Sequence, residues 1–342
     1  TWLAFSALLF PDSTFFNVLA VFIAVIACLL ATALLVLYGA KIIIMGPLRF
    51  LDDLWTNPNV SSRLVFFTMT LMSIAFTLAY THLYWLAAVL WVVGVVGHVA
   101  ILCVFLTQAV RMGIDDIDDI TAAWVMPTIG LAMASGSGIA IGFGGWVTTF
   151  FWLALLSALL FFPIAVYRIY VKEPAMHEGL VCTNVVLLAP PALLFIEYLS
   201  VGGHRWQFFP FTHVLYFSIL CVAVLVAFSA PQIIRLEYNT TTACMTFPLA
   251  FAAKATIMFW FGYMSDDRYL SWLFLLPAVL LFLLANAIVG YVCVRFVTAI
   301  VHWHTNRAGE DEEEGGAVPG GLEGGEGGKK RAGAQGAARL GA

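Results

Sequence analysis

Long runs without charge dominate the pattern along this chain. No Lys, Arg, Asp or Glu occurs in residues 64–110 or in residues 120–167. A helix needs about 20 apolar residues to cross the hydrocarbon layer of a bilayer, so each run is long enough for two crossings. Polar and glycine-rich breaks at residues 80–82 and 142–145 predict the turns between them.

The same pattern continues along the rest of the chain and predicts an all-α integral membrane protein. Nine complete crossings are expected near residues 15–40, 64–81, 83–108, 120–141, 146–170, 180–201, 209–230, 242–262 and 270–298. The apolar segment at residues 1–10 is predicted to be the end of an earlier helix, most of which is missing from this chain. Residues 1–306 are therefore expected to form one transmembrane domain.

Composition supports a lipid environment and excludes several classes of function. The chain is 62% apolar and 11% charged, whereas soluble domains are typically ~45–50% apolar and ~25% charged. Up to residue 307 it holds 12 basic and 13 acidic residues. This near-neutral balance excludes nucleic-acid binding by a basic face. The composition also excludes a soluble enzyme with an ordinary hydrated surface.

Residues 307–342 form a separate, glycine-rich tail. An acidic run at residues 310–314 lies near its start. A segment of this composition buries too little apolar area to fold, so we expect a disordered tail. A solvated terminus is the simplest interpretation, and a regulatory role is the alternative.

The distribution of basic residues predicts the orientation in the membrane. One set of loops holds two basic residues, Arg205 and Arg268. The opposite set holds nine: Lys41, Arg49, Arg63, Arg111, Arg168, Lys172, Arg235, Arg295 and Arg307. Basic residues accumulate on the cytoplasmic side. The second set and the C-terminus are therefore predicted to be cytoplasmic, with the plasma membrane as the expected location.

Lys254 is a basic residue inside an apolar span, about ten residues from either end of its predicted helix. A lysine at the bilayer centre costs about 2.5–3.5 kcal/mol on insertion scales, so it usually faces a water-filled cavity or a partner. A fixed positive charge in such a cavity favours anions. The alternatives are that Lys254 snorkels towards a headgroup or pairs with a carboxylate such as Glu197.

Phe247 precedes Lys254 by seven residues, which is close to two helical turns and about 10 Å of rise. Both side chains should therefore lie on one face of the helix. If Lys254 lines a pathway, the ring of Phe247 can act as a plug in it. Taken alone, a phenylalanine in a membrane helix more often faces lipid or packs against protein.

Prolines recur in alternate predicted spans, at Pro127, at Pro190–Pro191 and at Pro248. Each removes a backbone hydrogen bond, which is tolerated in a membrane where protein or water satisfies the freed carbonyl. These spans are therefore expected in the bundle interior. Ser135 and Gly136 are small residues in the first of them, and they permit close approach or leave open space. Helix packing alone is the alternative explanation.

No pattern typical of a cofactor, a metal site or a catalytic site is present. The six cysteines have no CxxC or paired spacing, and the histidines lack nearby ligands at metal-binding spacing. No phosphate loop, GxSxG or HExxH occurs. The sequence therefore predicts a protein without cofactors that is not an enzyme.

Three stretches resemble a known family, the tellurite-resistance/dicarboxylate transporter superfamily of bacterial TehA, plant slow-type anion channels and fungal malic-acid permeases. Residues 38–41 with 57–67 are similar to the loop before its third helix. Leu187–Leu193 is similar to the IAPP segment of its seventh helix, and Met245–Leu249, which includes Thr246, to the TFP segment of its ninth.

The resemblance implies a ten-helix bundle of five helical hairpins, with odd-numbered helices around a central pore, assembled as a homotrimer. It places the pore-gating phenylalanine at Phe247. Lys254 departs from the family pattern, which has an apolar residue there. We therefore expect passage of small anions (chloride, nitrate, sulfite or a dicarboxylate such as malate) past Phe247, Lys254 and the proline and small-residue positions named above.

Two alternatives remain open at this point. The first is a proton-coupled carrier for malate or related C4-dicarboxylates. The second belongs to another class, a membrane sensor or scaffold that conducts nothing.

Overall fold

The computed structural model describes residues 14–112, 120–172, 178–202, 209–236, 240–266 and 268–315. Within these ranges every regular element is helical. The α-helices are α1 (Thr14–Met45), α2 (Pro47–Thr56), α3 (Pro58–Tyr80), α4 (Tyr84–Met112), α5 (Met126–Ile129), α6 (Met133–Ile141), α7 (Thr148–Tyr170), α8 (Ala189–Val201), α9 (Phe209–Arg235), α10 (Thr246–Asp266) and α11 (Arg268–Gly315). The 3-10 helices are Ala122–Val125, Gly130–Ala132, Gly145–Val147, Glu178–Leu188 and Thr240–Met245.

The chain divides into two units at Cys293. The first unit contains the helices up to that residue. The described part of the second begins at Val294 and is helical to Gly315. Helix α11 thus passes the boundary at residue 306 that the sequence predicted. Residues 316–342 lie outside the described residues, so the disordered tail stays a prediction.

Nine segments of the described chain are long and apolar enough to cross a membrane. They are Val21–Met45, Pro58–Tyr80, Tyr84–Arg111, Ala122–Ile141, Gly145–Tyr170, Val181–Val201, Pro210–Arg235, Thr241–Gly262 and Trp272–Ala299. The all-α membrane fold and the predicted order of spans are confirmed. The remnant of a first helix, predicted at residues 1–10, falls outside the described residues.

Local backbone chemistry explains where the predicted boundaries differ from the structure. Helix α1 was expected to end near residue 40 but continues to Met45, because the first break in the backbone is Gly46, which has a φ of 89° and precedes a proline. Helix α3 starts six residues earlier than expected. Asn57 caps its start by accepting a 2.9 Å hydrogen bond from the backbone N–H of Asn59, and Pro58 occupies the first position.

Burial alternates along the chain within the first unit. In an 18-residue apolar window, 78% of the residues are buried in Ala122–Ile141 and 83% in Val181–Val201, against 44% in α3 and 56% in α10. The same share is only 0% to 33% in α1, α4, α7 and α9. Large apolar side chains cover these outer helices, which suits contact with lipid tails rather than water. The protein interior is therefore formed by alternate spans.

The three buried proline-containing spans share one local design. In each, a 3-10 segment gives way to an α-helix immediately before the proline, and Pro127, Pro190–Pro191 and Pro248 all lie in the first turn of the α-helix that follows. A proline has no N–H to donate and is tolerated in a first turn. The predicted interruption of these helices is thus present as a change of helix type.

His98 provides a hydrogen-bond partner for the backbone carbonyl of Pro127. Its Nε2 donates a 3.0 Å hydrogen bond to the carbonyl of Pro127, and its Nδ1 lies 2.9 Å from the hydroxyl of Thr68. The imidazole is fully buried. A methyl group at Gly130 would collide with this ring. His98, on α4, therefore links α3 to the interrupted span Ala122–Ile141. Gly130 of that span must be a glycine because the ring occupies the space of its side chain.

Candidate functional site

Phe247 lies at the start of α10, where the backbone changes from 3-10 to α-helical. Thr246 fixes this junction by donating its hydroxyl to the carbonyl of Ala243 at 2.8 Å. The ring of Phe247 is partly buried between two others. Its centroid is 5.6 Å from that of Phe66 on α3 and 4.5 Å from that of Phe251. Three rings thus form an aromatic cluster between α3 and α10.

Lys254 lies seven residues further along α10, which corresponds to about 10 Å of helical rise. Its Nζ is 5.5 Å from the ring centroid of Phe76 on α3, a distance suited to a cation–π interaction. The side chain also interacts electrostatically with Glu197 on α8. It is partly buried. Lys254 therefore points between two other inner helices and not towards lipid.

Glu197 faces this lysine from α8, and only 7% of its surface is exposed. Its Oε2 receives no hydrogen bond from any described residue. The carboxylate lies against Gly136 of α6 so closely that a methyl group at that position would overlap it. The hydroxyl of Ser135 and the backbone N–H of Gly136 lie beside the carboxylate as well and favour its ionised form. The Ser135 hydroxyl is also donated to the carbonyl of Ala132. Lys254 is thus the cationic group that compensates the buried carboxylate.

A cavity of about 520 Å³ borders the same face of α3 and α10. Ala250 lines it, and this residue lies on α10 between the levels of Phe247 and Lys254. Hydroxyl groups line it on α3, at Thr70, Ser73 and Thr77. Helices α1 and α11 complete the lining, the latter with Asn286. The space beside the aromatic cluster therefore has a mixed apolar and polar wall.

The structure brings some of the predicted site residues together and separates others. Ser135 and Gly136 lie against Glu197, which interacts with Lys254. Phe247 does not touch this group, because it lies in the aromatic cluster about two turns before Lys254 on α10. Pro127, Pro190, Pro191 and Pro248 are buried and mark the changes of helix type. The prolines thus shape the inner helices, and the charged and aromatic side chains form the site.

Sequence reasoning named Glu197 only as an alternative partner and did not identify Phe66, Phe76 or Phe251. The sequence did contain a signal for Glu197, since it is the only acidic residue within the nine spans. The cost argument applied to Lys254 applies equally to such a carboxylate. The three phenylalanines carried no comparable signal, because phenylalanine is common throughout the chain.

The described residues contain no cluster of three or more His, Cys, Asp and Glu side chains able to hold a metal ion. The six cysteines are free thiols. The chemistry of the site is therefore that of one ammonium, one carboxylate and several aromatic rings.

Comparison with known proteins identifies the family of this chain. The sequence matches the voltage-dependent anion channel family over residues 2–300, which covers the nine spans. No curated protein matches the chain. Members of this family are anion channels and transporters. The chain belongs to the voltage-dependent anion channel family, and it is a multi-pass membrane protein of anion transport.

Proposed function

We propose that this protein conducts small anions through the interior of its bundle, past a gate at Phe247 and an attracting charge at Lys254. The observation that carries the proposal is the position of Lys254. Its ammonium lies 5.5 Å from the Phe76 ring on α3 and interacts with Glu197 on α8. Lys254 shares a face of α10 with Phe247, and the cavity borders α10 between them, at Ala250.

Lys254 lowers the barrier for an anion that loses part of its hydration inside the membrane. At an effective dielectric constant of 20, two unit charges 4 Å apart attract by about 4 kcal/mol. A cation in the same place is repelled. The substrates are small anions of the kind expected from the sequence, namely chloride, nitrate, sulfite or a dicarboxylate such as malate.

Phe247 closes the path at rest. Its contacts with Phe66 and Phe251 bridge α3 and α10. An anion passes when the ring of Phe247 swings aside, and the adjoining cavity offers the space into which side chains and water can move.

The experiment is a planar bilayer recording of the purified protein with anion substitution. Under a salt gradient the reversal potential should follow the anion, and Lys254→Met should reduce anion over cation permeability about tenfold or more because it removes the charge in the bundle. Lys41→Met is the matched control, since Lys41 is exposed at the end of α1, and it should leave the ratio unchanged.

A reversal potential that follows the cation, or that is identical in wild type and Lys254→Met, would overturn the attracting role. Unitary currents support a channel. Uptake without unitary currents that collapses with a protonophore supports a proton-coupled carrier of dicarboxylates, and a protein that moves no anion in either assay is a sensor or scaffold.

We further propose that the protein acts without enzymatic catalysis or cofactors, as a homotrimer with one pathway per protomer. The C-terminus is placed in the cytoplasm and the bundle in the plasma membrane. The nine-to-two bias of basic residues supports the orientation. In this arrangement residues 307–342 form a solvated cytoplasmic tail.

A further inference from the structure

Glu197 is the one acidic residue within the nine spans. It faces Lys254, the lysine of these spans that does not lie near a helix end. Glu197 lies four residues before the end of α8, and 7% of its surface is exposed. Its Oε2 has no hydrogen-bond partner among the described residues, and Lys254 interacts with it electrostatically. Such a carboxylate requires an explanation, because a buried charge with an incomplete set of partners is costly.

Two neutral groups near Glu197 also favour its ionised form, the backbone N–H of Gly136 and the hydroxyl of Ser135. The Ser135 hydroxyl has a single proton, which is donated to the carbonyl of Ala132. Lys254 is the group that supplies an opposite charge to the ionised carboxylate, and in doing so its own charge is cancelled.

Cancellation changes what an anion meets inside the bundle. With Glu197 ionised, the pair is neutral, and an entering anion is attracted by the ammonium and repelled by the carboxylate. With Glu197 protonated, the same place has a net charge of +1. The charge state of one carboxyl group thus decides how strongly the place next to Lys254 holds an anion.

We propose that Glu197 is the counter-charge that controls anion entry at Lys254, and that it takes up a proton when an anion binds there. The proton comes from bulk water and adds to the carboxylate oxygen, and it returns to water when the anion leaves. Binding of the anion and of the proton are reciprocally coupled, since each favours the state that the other prefers. This inference rests on the proposed function, and it adds the residue that sets the charge of the site.

The helices packed against α8 carry other ionisable groups, which a pH-dependent effect must be separated from. On α10, besides Lys254, these are Tyr263 and Asp266 in its last turn. Helix α6 has none. On α7, Tyr167, Arg168 and Tyr170 lie in the last turn, at the end of the span opposite to Glu197.

Helix α9 carries two such groups within the bundle. The ring of Tyr216 stacks on Phe259, and the ring of His213 contacts Phe259 and Phe217. Histidine is a common proton-binding side chain near neutral pH. An experiment must therefore separate the contribution of His213 to the pH dependence of transport from that of Glu197.

The experiment measures nitrate uptake into proteoliposomes as a function of pH and of nitrate concentration. Wild-type uptake should increase as the pH is lowered. Glu197→Gln should remove this pH dependence and lower the half-saturating nitrate concentration on the order of tenfold, because the site then keeps a net charge of +1. His213→Gln should behave as wild type. A Glu197→Gln variant with wild-type pH dependence, or a loss of that dependence in His213→Gln, would overturn the proposal.

A second measurement does not depend on transport. Infrared difference spectra of the purified protein, recorded with and without nitrate, should show a protonated carboxyl band that is absent in Glu197→Gln. Absence of the band in wild type overturns the role of Glu197. If the band is present but neither wild type nor Phe247→Ala takes up nitrate, the proposed function fails and the coupled binding site stands.

Discussion

Replacement of Phe247 by alanine tests the gate, and the structure sets the size of the effect. The ring has two aromatic neighbours, with centroids 5.6 Å and 4.5 Å away at Phe66 and Phe251. Each aromatic pair contributes about 0.5–1.5 kcal/mol beyond area burial, so the ring gives up about 1–3 kcal/mol when it swings aside. Since about 1.4 kcal/mol corresponds to a tenfold change in rate, Phe247→Ala should raise the anion current roughly 5- to 150-fold.

The assay is macroscopic current in planar bilayers with symmetrical chloride, at matched amounts of reconstituted protein. Phe228→Ala is the control. Phe228 lies on α9 and is 72% exposed, so the substitution removes a ring of the same size from the lipid-facing surface. Its current should equal that of wild type. Phe66→Ala should give a smaller increase than Phe247→Ala, since it removes one contact and leaves the gating ring in place. Equal currents in wild type, Phe247→Ala and Phe228→Ala would refute the gate.

Two further predictions concern the packing that holds the site, and thermal unfolding in detergent measures both. Gly136→Ala should lower the free energy of unfolding by about 1–3 kcal/mol, because the new methyl group overlaps a buried carboxylate. Gly290→Ala is the control, because a methyl group added at Gly290 meets no atom within 4 Å. An equal loss of unfolding free energy in both variants would contradict the overlap at Gly136. His98→Leu should cost about 1–3 kcal/mol, because the buried carbonyl of Pro127 loses its partner. His82→Asn, on an exposed turn, should change stability by less than about 0.5 kcal/mol, and a wild-type melting temperature in His98→Leu would count against the bond.

The spans were predictable because the cost of placing a segment in lipid is close to a sum over its own residues. Nine runs of apolar residues became nine spans for this reason. The ends of the spans were less predictable where a capping residue or a glycine sets the helix boundary. Asn57 does so at the start of α3 and Gly46 at the end of α1. The prolines were informative as well, because loss of the N–H is a property of the residue itself.

Hydropathy carried one more signal that the prediction did not use. The four spans that the structure buries most within the first unit, those at Pro58–Tyr80, Ala122–Ile141, Val181–Val201 and Thr241–Gly262, are also the four least apolar of the nine. A helix surrounded by protein can tolerate polar groups, whereas a helix surrounded by lipid is apolar on most of its surface. Inner and outer helices were thus distinguishable before the structure.

The sequence by itself determined the membrane environment, the order of the spans, the interrupted helices and the presence of a lysine that lipid would penalise. Only the tertiary structure decided that Lys254 lies between Phe76 and Glu197, and that Glu197 rests against Gly136. Transfer into lipid is a local property that adds along the chain. The depth and rotation of each helix, which bring residues over 50 positions apart into contact, depend on the packing of all the helices at once.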